Sequence, residues 1–188
     1  MPSSAKPWSQ KQRWLWRTRE ALLHALDGLP ETLCHQDLHP RNPFFRTTSQ
    51  GEQSVVIDWA ECGPGPVGAD LAALVGSSII LLEAERISPA DLESLCLGGY
   101  LAGLRDVGWR GSEHDVRFGY LASLVIRYSI SCTQLVVSLI VSDKDHGWAE
   151  RVLGRTIDEF LSNYRTLLDF LEPRAEQVHG FESRWLDS

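Results

Sequence analysis

The chain has 188 residues, 43% apolar and 23% charged, ordinary usage for one globular domain with its own core and not for a disordered segment. A net charge of -7 and a pI near 5.3 exclude the clustered cations that a nucleic-acid-binding surface needs. Cys34, Cys62, Cys96 and Cys132 are widely spread with no CxxC pair, which excludes a zinc ribbon or disulfide framework and points to free thiols in a cytoplasmic protein.

Residues 1–8 read as a loose leader, polar and without the apolar core of a signal peptide, ahead of a single domain over 9–188. From Ser9, a plausible N-cap, to about Leu26, the residues Trp14, Leu15, Leu22, Leu23 and Leu26 recur at helical spacing. Asp27-Gly28-Leu29-Pro30 stops that helix. Two short β-type runs follow, from Pro43 to about Thr48 and from Gln53 to Asp58, joined by a polar turn over 48–52 that contains Gly51; they read as a hairpin. Cys62 to Gly68 is rich in Gly and Pro and reads as a loop.

Beyond Ala69 the spacing predicts helices over about 69–85, 89–105, 113–142 and 147–171. Ser88 and Pro89 suit a cap and first turn, Glu113-His114-Asp115 a helix start, and Pro173 an end. The third of these helices is expected to break near Arg127–Ser131. Tyr120 to Val141 is apolar, but Arg127 in its interior makes a buried core helix the expectation and not a membrane span. Asp143-Lys144-Asp145-His146 reads as an exposed loop. Trp14, Trp16, Trp109 and Trp148 suit helix packing, while Trp8 and Trp185 lie near the termini.

Chemistry concentrates in CHQDLHPRN, where His35, Asp37, His39 and Asn42 fall within eight residues between an apolar helix and an apolar strand. In an antiparallel hairpin, Asn42 and Asp58 come to the same end of the ladder. A neutral and an anionic oxygen there suit Mg²⁺, which takes few protein carboxylates and leaves its other positions to phosphate and water. Asp37, five residues before Asn42, is then beside the metal but need not bind it, where a carboxylate can orient a hydroxyl and accept its proton.

This pattern resembles the aminoglycoside phosphotransferase and choline kinase group, distant relatives of the protein kinases. The HxDxxxxN loop of that group stands here as His35-Gln36-Asp37-Leu38-His39-Pro40-Arg41-Asn42. Its second motif stands as Ile57-Asp58-Trp59, then Gly63-Pro64-Gly65-Pro66, then Asp70-Leu71-Ala72. The resemblance implies a mainly α fold with a small β-hairpin (α+β), the C-terminal lobe of the protein-kinase-like fold. It implies ATP and Mg²⁺ as cofactors and Asp37 as catalytic base. Asn42 and Asp58 become the metal ligands, with His39 beside them on the nucleotide-binding side. His35 and Asp70 brace the catalytic loop through its backbone. The acceptor is then a hydroxyl of a small molecule, such as an aminoglycoside, choline or a sugar-like compound.

Gln36 and Arg41 stand where the group most often has glycine, and Pro43 where an aliphatic residue is usual. The group also has an N-terminal lobe with a phosphate-covering loop and a lysine that pairs with the nucleotide. Nothing before His35 matches it, so the expectation is a catalytic lobe alone, with a homodimer or a partner chain covering the surface that lobe would hide. Two other readings stand beside this one. In the first, His35, Asp37 and His39 share one face of a strand as an iron or zinc site. In the second, the chain is a non-catalytic interaction module, a remnant of such a kinase.

Overall fold

The computed structural model describes residues 8–81, 86–141, 151 and 154–185. Helix α1 (Trp8–Asp27) leads into strand β1 (Glu31–Cys34), the hairpin β2 (Pro43–Thr48) and β3 (Gly51–Val56), a 3-10 turn (Trp59–Glu61) and strand β4 (Gly63–Pro66). Helices α2 (Ala69–Ile80), α3 (Pro89–Asp106) and α4 (Glu113–Val125) follow. A π-helical segment (Ile126–Ser131) then joins α4 to α5 (Cys132–Val141), and α6 (Ile157–Trp185) ends the described chain. The fold is mainly α with small antiparallel sheets, as the sequence predicts.

The two sheets are nested. β2 pairs with β3 in the register Pro43↔Val56 to Thr48↔Gly51, and β1 pairs with β4 from Glu31↔Pro66 to Cys34↔Gly63. Residues 35–42 and 57–62 therefore face each other as the interior loop of one long hairpin. The inner pairing is the predicted one with a tighter turn, and its second strand ends at Val56, so Ile57 and Asp58 lie beyond the ladder. The outer pairing corrects the reading of 62–68 as a loop. Pro64 and Pro66 are two residues apart, so both missing N–H groups fall on the same edge of a two-stranded ladder that has a free edge to spare. Gly65 between them leaves room for the Cys34 side chain, whose Sγ would be 3.0 Å from a Cβ there.

Helix α2 is the hub. Leu71, Ala72, Val75, Ile79 and Ile80 are buried, and the helix packs on α3, α4 and α6. Gly68, its N-cap at φ 91°, lets the chain turn where a Cβ would come within 2.5 Å of the Val116 carbonyl on α4. At its other end, Asn163 of α6, itself buried, donates from Nδ2 to the Ile80 carbonyl at 3.2 Å, satisfying a terminal acceptor with no helical partner. The chain of α1 is tied to α6 by Lys11, whose buried ammonium lies 2.8 Å from both Glu172 and Glu176.

Several predicted boundaries hold, and others move for identifiable reasons. Ser88 accepts from the Asp91 N–H, with Pro89 in the first turn of α3; Ser112 caps α4 ahead of Glu113 and Asp115. Ser9, read as the cap, lies inside α1, which already includes Trp8. The first of the later helices ends at Ile80 and not near residue 85. The last begins at Ile157, where Thr156 and Glu159 form a reciprocal capping box after Gly154 at φ 69°. It runs through Pro173 instead of stopping there. Pro173 is exposed, so the Asp169 carbonyl it leaves unpaired lies on the solvent side, while buried Leu171, Ala175 and Val178 keep the apolar stripe continuous. Trp14 and Trp109 pack on the core, but Trp16 is exposed under the Arg19 guanidinium. Trp148 and the 143–146 cluster lie outside the described residues.

The run Glu113–Ser138 is long and apolar enough to cross a membrane by length and composition. Its α4 half lies in the core instead, with Val116, Phe118, Tyr120, Leu124 and Val125 buried. The predicted break near Arg127–Ser131 is the π segment, which alters the hydrogen-bond ladder without interrupting the helix. It delivers Tyr128 onto α2, where the phenol donates to the Ala73 carbonyl at 3.0 Å and the ring covers Gly76.

A Cβ at Gly76 would lie 2.1 Å from the Tyr128 ring, so Gly76→Ala should cost about 1–3 kcal/mol in urea unfolding as ring and helix are forced apart. Gly98→Ala on α3 meets nothing within 4 Å and should instead stabilise by about 0.5–1 kcal/mol, a control of opposite sign. Burial, with the Asp70 carboxylate second, pushes the Cys34 thiol up to about 11; burial alone takes Cys132 to about 11 and raises Cys96. At pH 8 these three remain protonated, so brief iodoacetamide treatment of the native protein should label Cys62, which is exposed, and mass spectrometry after urea should find all four labelled.

Candidate functional site

The interior loop of the nested hairpin brings together most of the residues singled out by sequence. On its first side, Asp70 in the opening turn of α2 accepts two backbone hydrogen bonds, from His35 N–H at 2.7 Å and from Gln36 N–H at 2.8 Å. Gln36 is left-handed, at φ 64°, a conformation strained for a side chain of its kind. The next peptide, between Gln36 and Asp37, is held as well, because Arg127 Nη1 donates to the Gln36 carbonyl at 2.9 Å. The Gln36 amide reaches the Pro64 carbonyl at 3.3 Å, tying the loop to β4.

Asp37 follows this clamped peptide with its side chain 43% exposed. Its backbone carbonyl accepts from Asn42 Nδ2 at 2.9 Å, closing the loop on itself. A carbonyl can only accept, so the buried Asn42 amide is oriented with its oxygen turned away from Asp37. His39 stands by Asp37, with Nε2 3.8 Å from Oδ2, and its Nδ1 accepts from the Arg41 N–H at 3.2 Å.

On the second side, Ile57 N–H donates to the Asn42 carbonyl at 3.1 Å, one step beyond the last rung of β2–β3. That bond sets Asn42 and Asp58 at the same end of the ladder, as the hairpin reading predicts. Asp58 is exposed and left-handed, at φ 63°. The two strained non-glycine residues of the described chain, Gln36 and Asp58, thus both lie in this interior loop. An amide oxygen and a carboxylate are the kinds of hard donor that Mg²⁺ takes, so Asn42 and Asp58 are the residues that could hold one here.

His35 departs from the expected role. Its ring does not reach the backbone of its own loop; Nε2 bonds the Ile57 carbonyl at 2.8 Å, which makes Nε2 the protonated nitrogen. The imidazole is buried and tilted against the Trp59 ring, 4.8 Å between centroids, and Trp59 Nε1 donates to the Val56 carbonyl. His35 is therefore a strut between the two sides of the interior loop. This also removes the three-residue metal reading: His35 is engaged elsewhere, residues 35–42 are a loop and not a strand, and no cluster of three His, Cys, Asp or Glu side chains suited to a metal occurs among the described residues.

A family model for APH, the phosphotransferase enzyme family, matches residues 3–111. The chain belongs to the phosphotransferase enzyme family. Neither the curated proteins nor the solved structures hold a match to it. Membership in the phosphotransferase enzyme family points to a kinase-like enzyme, and the matched span holds both motifs and Asp70. Arg127 lies outside the match. Sequence reasoning used it only to argue against a membrane span, yet a lone arginine within an apolar helical run was itself a signal of a specific polar partner.

Replacing Asp70 by Asn puts an N–H₂ against one of two backbone donors and removes the charge from both bonds. Asp70→Asn should lower stability by about 1.5–3 kcal/mol in urea unfolding and speed amide exchange at His35 and Gln36.

Proposed function

We propose that the chain is the catalytic lobe of an ATP- and Mg²⁺-dependent phosphotransferase, corresponding to the C-terminal lobe of the protein-kinase-like fold. It passes the γ-phosphate to a hydroxyl of a small molecule. The observation that carries this is the interior loop, in which a clamped backbone presents Asp37 while Asn42 and Asp58 lie at the same end of the ladder. The free thiols fit a cytoplasmic setting.

Asn42 and Asp58 would hold Mg²⁺, which, when bound, offsets charge on the phosphate oxygens. Asp37 orients the acceptor hydroxyl and takes its proton as the alcohol oxygen bonds to the γ-phosphorus. The bond from that phosphorus to the β-bridging oxygen breaks, ADP leaves with the electron pair, and Asp37 returns the proton to solvent. The clamp on Gln36 keeps Asp37 from wandering and so supports in-line geometry. His39, beside Asp37, is read as contributing to the nucleotide side.

One observation favours the interaction-module reading. Phe44, Phe45, Ile57 and Trp59 are all about half exposed or more, leaving apolar surface on the hairpin and on the two residues that flank Asp58. Mg²⁺-dependent ATP binding separates the two. Calorimetry on the whole chain, alone and with any co-purifying partner, should find ATP binding that disappears with EDTA. Asp37→Asn should leave that binding intact and lower transfer by about 10²–10⁴-fold, whereas Asp58→Asn should weaken the binding itself. No Mg²⁺-dependent binding in either preparation rejects the kinase reading, and near-normal transfer by Asp37→Asn rejects the role given to Asp37.

A further inference from the structure

A groove of about 350 Å³ opens beside Asp37, between the interior loop and the helices, within the size range of small-molecule sites. Leu38, Ile80, Leu81, Leu135 and Phe160 give it apolar walls. The polar groups on its floor are already engaged: the Tyr128 phenol donates to the Ala73 carbonyl at 3.0 Å and the Ser77 hydroxyl to the same carbonyl at 2.6 Å. Burial pushes Tyr128 up to about 12 and Cys132 up to about 11, so both line the groove as neutral groups.

The charged groups on the lining are unevenly divided. Among the described residues of the lining, Asp37 is the one carboxylate, with His39 next to it and the guanidinium groups of Arg41 and Arg127 on the same groove. A polycationic acceptor entering here would meet the Arg127 guanidinium one peptide from a carboxylate that is already assigned to the hydroxyl. Desolvating several ammonium groups without partners is costly. Arg127 is one peptide away from Asp37, through its bond to the Gln36 carbonyl, and a guanidinium has five N–H donors, so others remain for a ligand. Arg127, Leu135 and Phe160 all lie beyond the span that matches the family, so membership does not dictate this wall.

We propose that the groove takes the acceptor, and that the acceptor is a hydroxy acid with an apolar body, its carboxylate on Arg127 and its hydroxyl, a few bonds away, facing Asp37. This rests on the phosphotransferase reading of Asp37, but its test needs no nucleotide. Three isosteric probes, 3-hydroxyoctanoate, octane-1,3-diol and 1-aminooctan-3-ol, are titrated into the methyl-labelled whole chain and followed by NMR.

The acid should shift the methyl signals of Leu38, Ile80 and Leu135 and bind about tenfold or more tightly than the amine, with the diol between them. Arg127→Gln should erase the difference between acid and amine, and Arg127→Lys should keep most of it. The proposal is overturned if the amine binds as well as the acid, if the shifts fall outside the groove, or if no probe moves these methyls up to about 10 mM. A chain that binds the acid here but no Mg²⁺-ATP would lose the phosphotransferase reading and keep the groove. One that binds Mg²⁺-ATP and prefers the amine would do the reverse.

Discussion

The structure depends on one carboxylate. Asp70 accepts from two consecutive backbone N–H groups, those of His35 and Gln36, and so fixes the plane and position of the chain entering the interior loop. What makes that fixation useful is the rigidity behind it. Asp70 sits in the first turn of a helix buried along most of its length and gripped at its far end by Asn163. The loop is thereby referenced to the core instead of to its flexible neighbours. The left-handed Gln36 is affordable for the same reason, since ion-strengthened hydrogen bonds on one side and a guanidinium on the other over-determine its conformation.

Nesting one two-stranded ladder inside another supplies the second constraint. Each ladder alone is marginal. Together they close both ends of the interior loop, and the His35 strut crosses its middle to the Ile57 carbonyl. A base, an amide oxygen and a second carboxylate can then come from segments 16 to 21 residues apart in sequence without any long sheet. Besides Asp70 at the start of α2, the helical body contributes Arg127, the contact least tied to the family pattern.

Much of this was legible in the sequence because the signals were local. Gly51 within a polar turn marked the inner hairpin, and the hairpin placed Asn42 and Asp58 together from strand geometry alone. Helices α3 and α4 announced themselves by spacing and caps, and α1 by its spacing and the Gly28–Pro30 stop. Interactions that defeat a local rule were not legible. The prolines of β4 hid a strand because only its unpaired edge carries them, and Pro173 looked like a stop because its exposure depends on which face α6 buries. The contact of Arg127 with Gln36 joins residues 91 positions apart, and no local pattern reports that. The Thr156–Glu159 box was a readable start signal for α6 that the apolar spacing overshadowed.

The π segment has a consequence for how the two halves of its helical run can differ. An α-helix advances about 100° per residue, so the one additional residue that a π turn accommodates rotates everything after it by about that much relative to what came before. α4 can thus keep its apolar stripe on α2 and α6 while α5 turns Leu135 toward the groove, although the two form one continuous run. Removing that residue would bring the halves back into phase and set the core face and the groove face in competition. The bulge works as a phase shifter, allowing one helix to serve two surfaces that a regular helix of the same sequence would have to choose between.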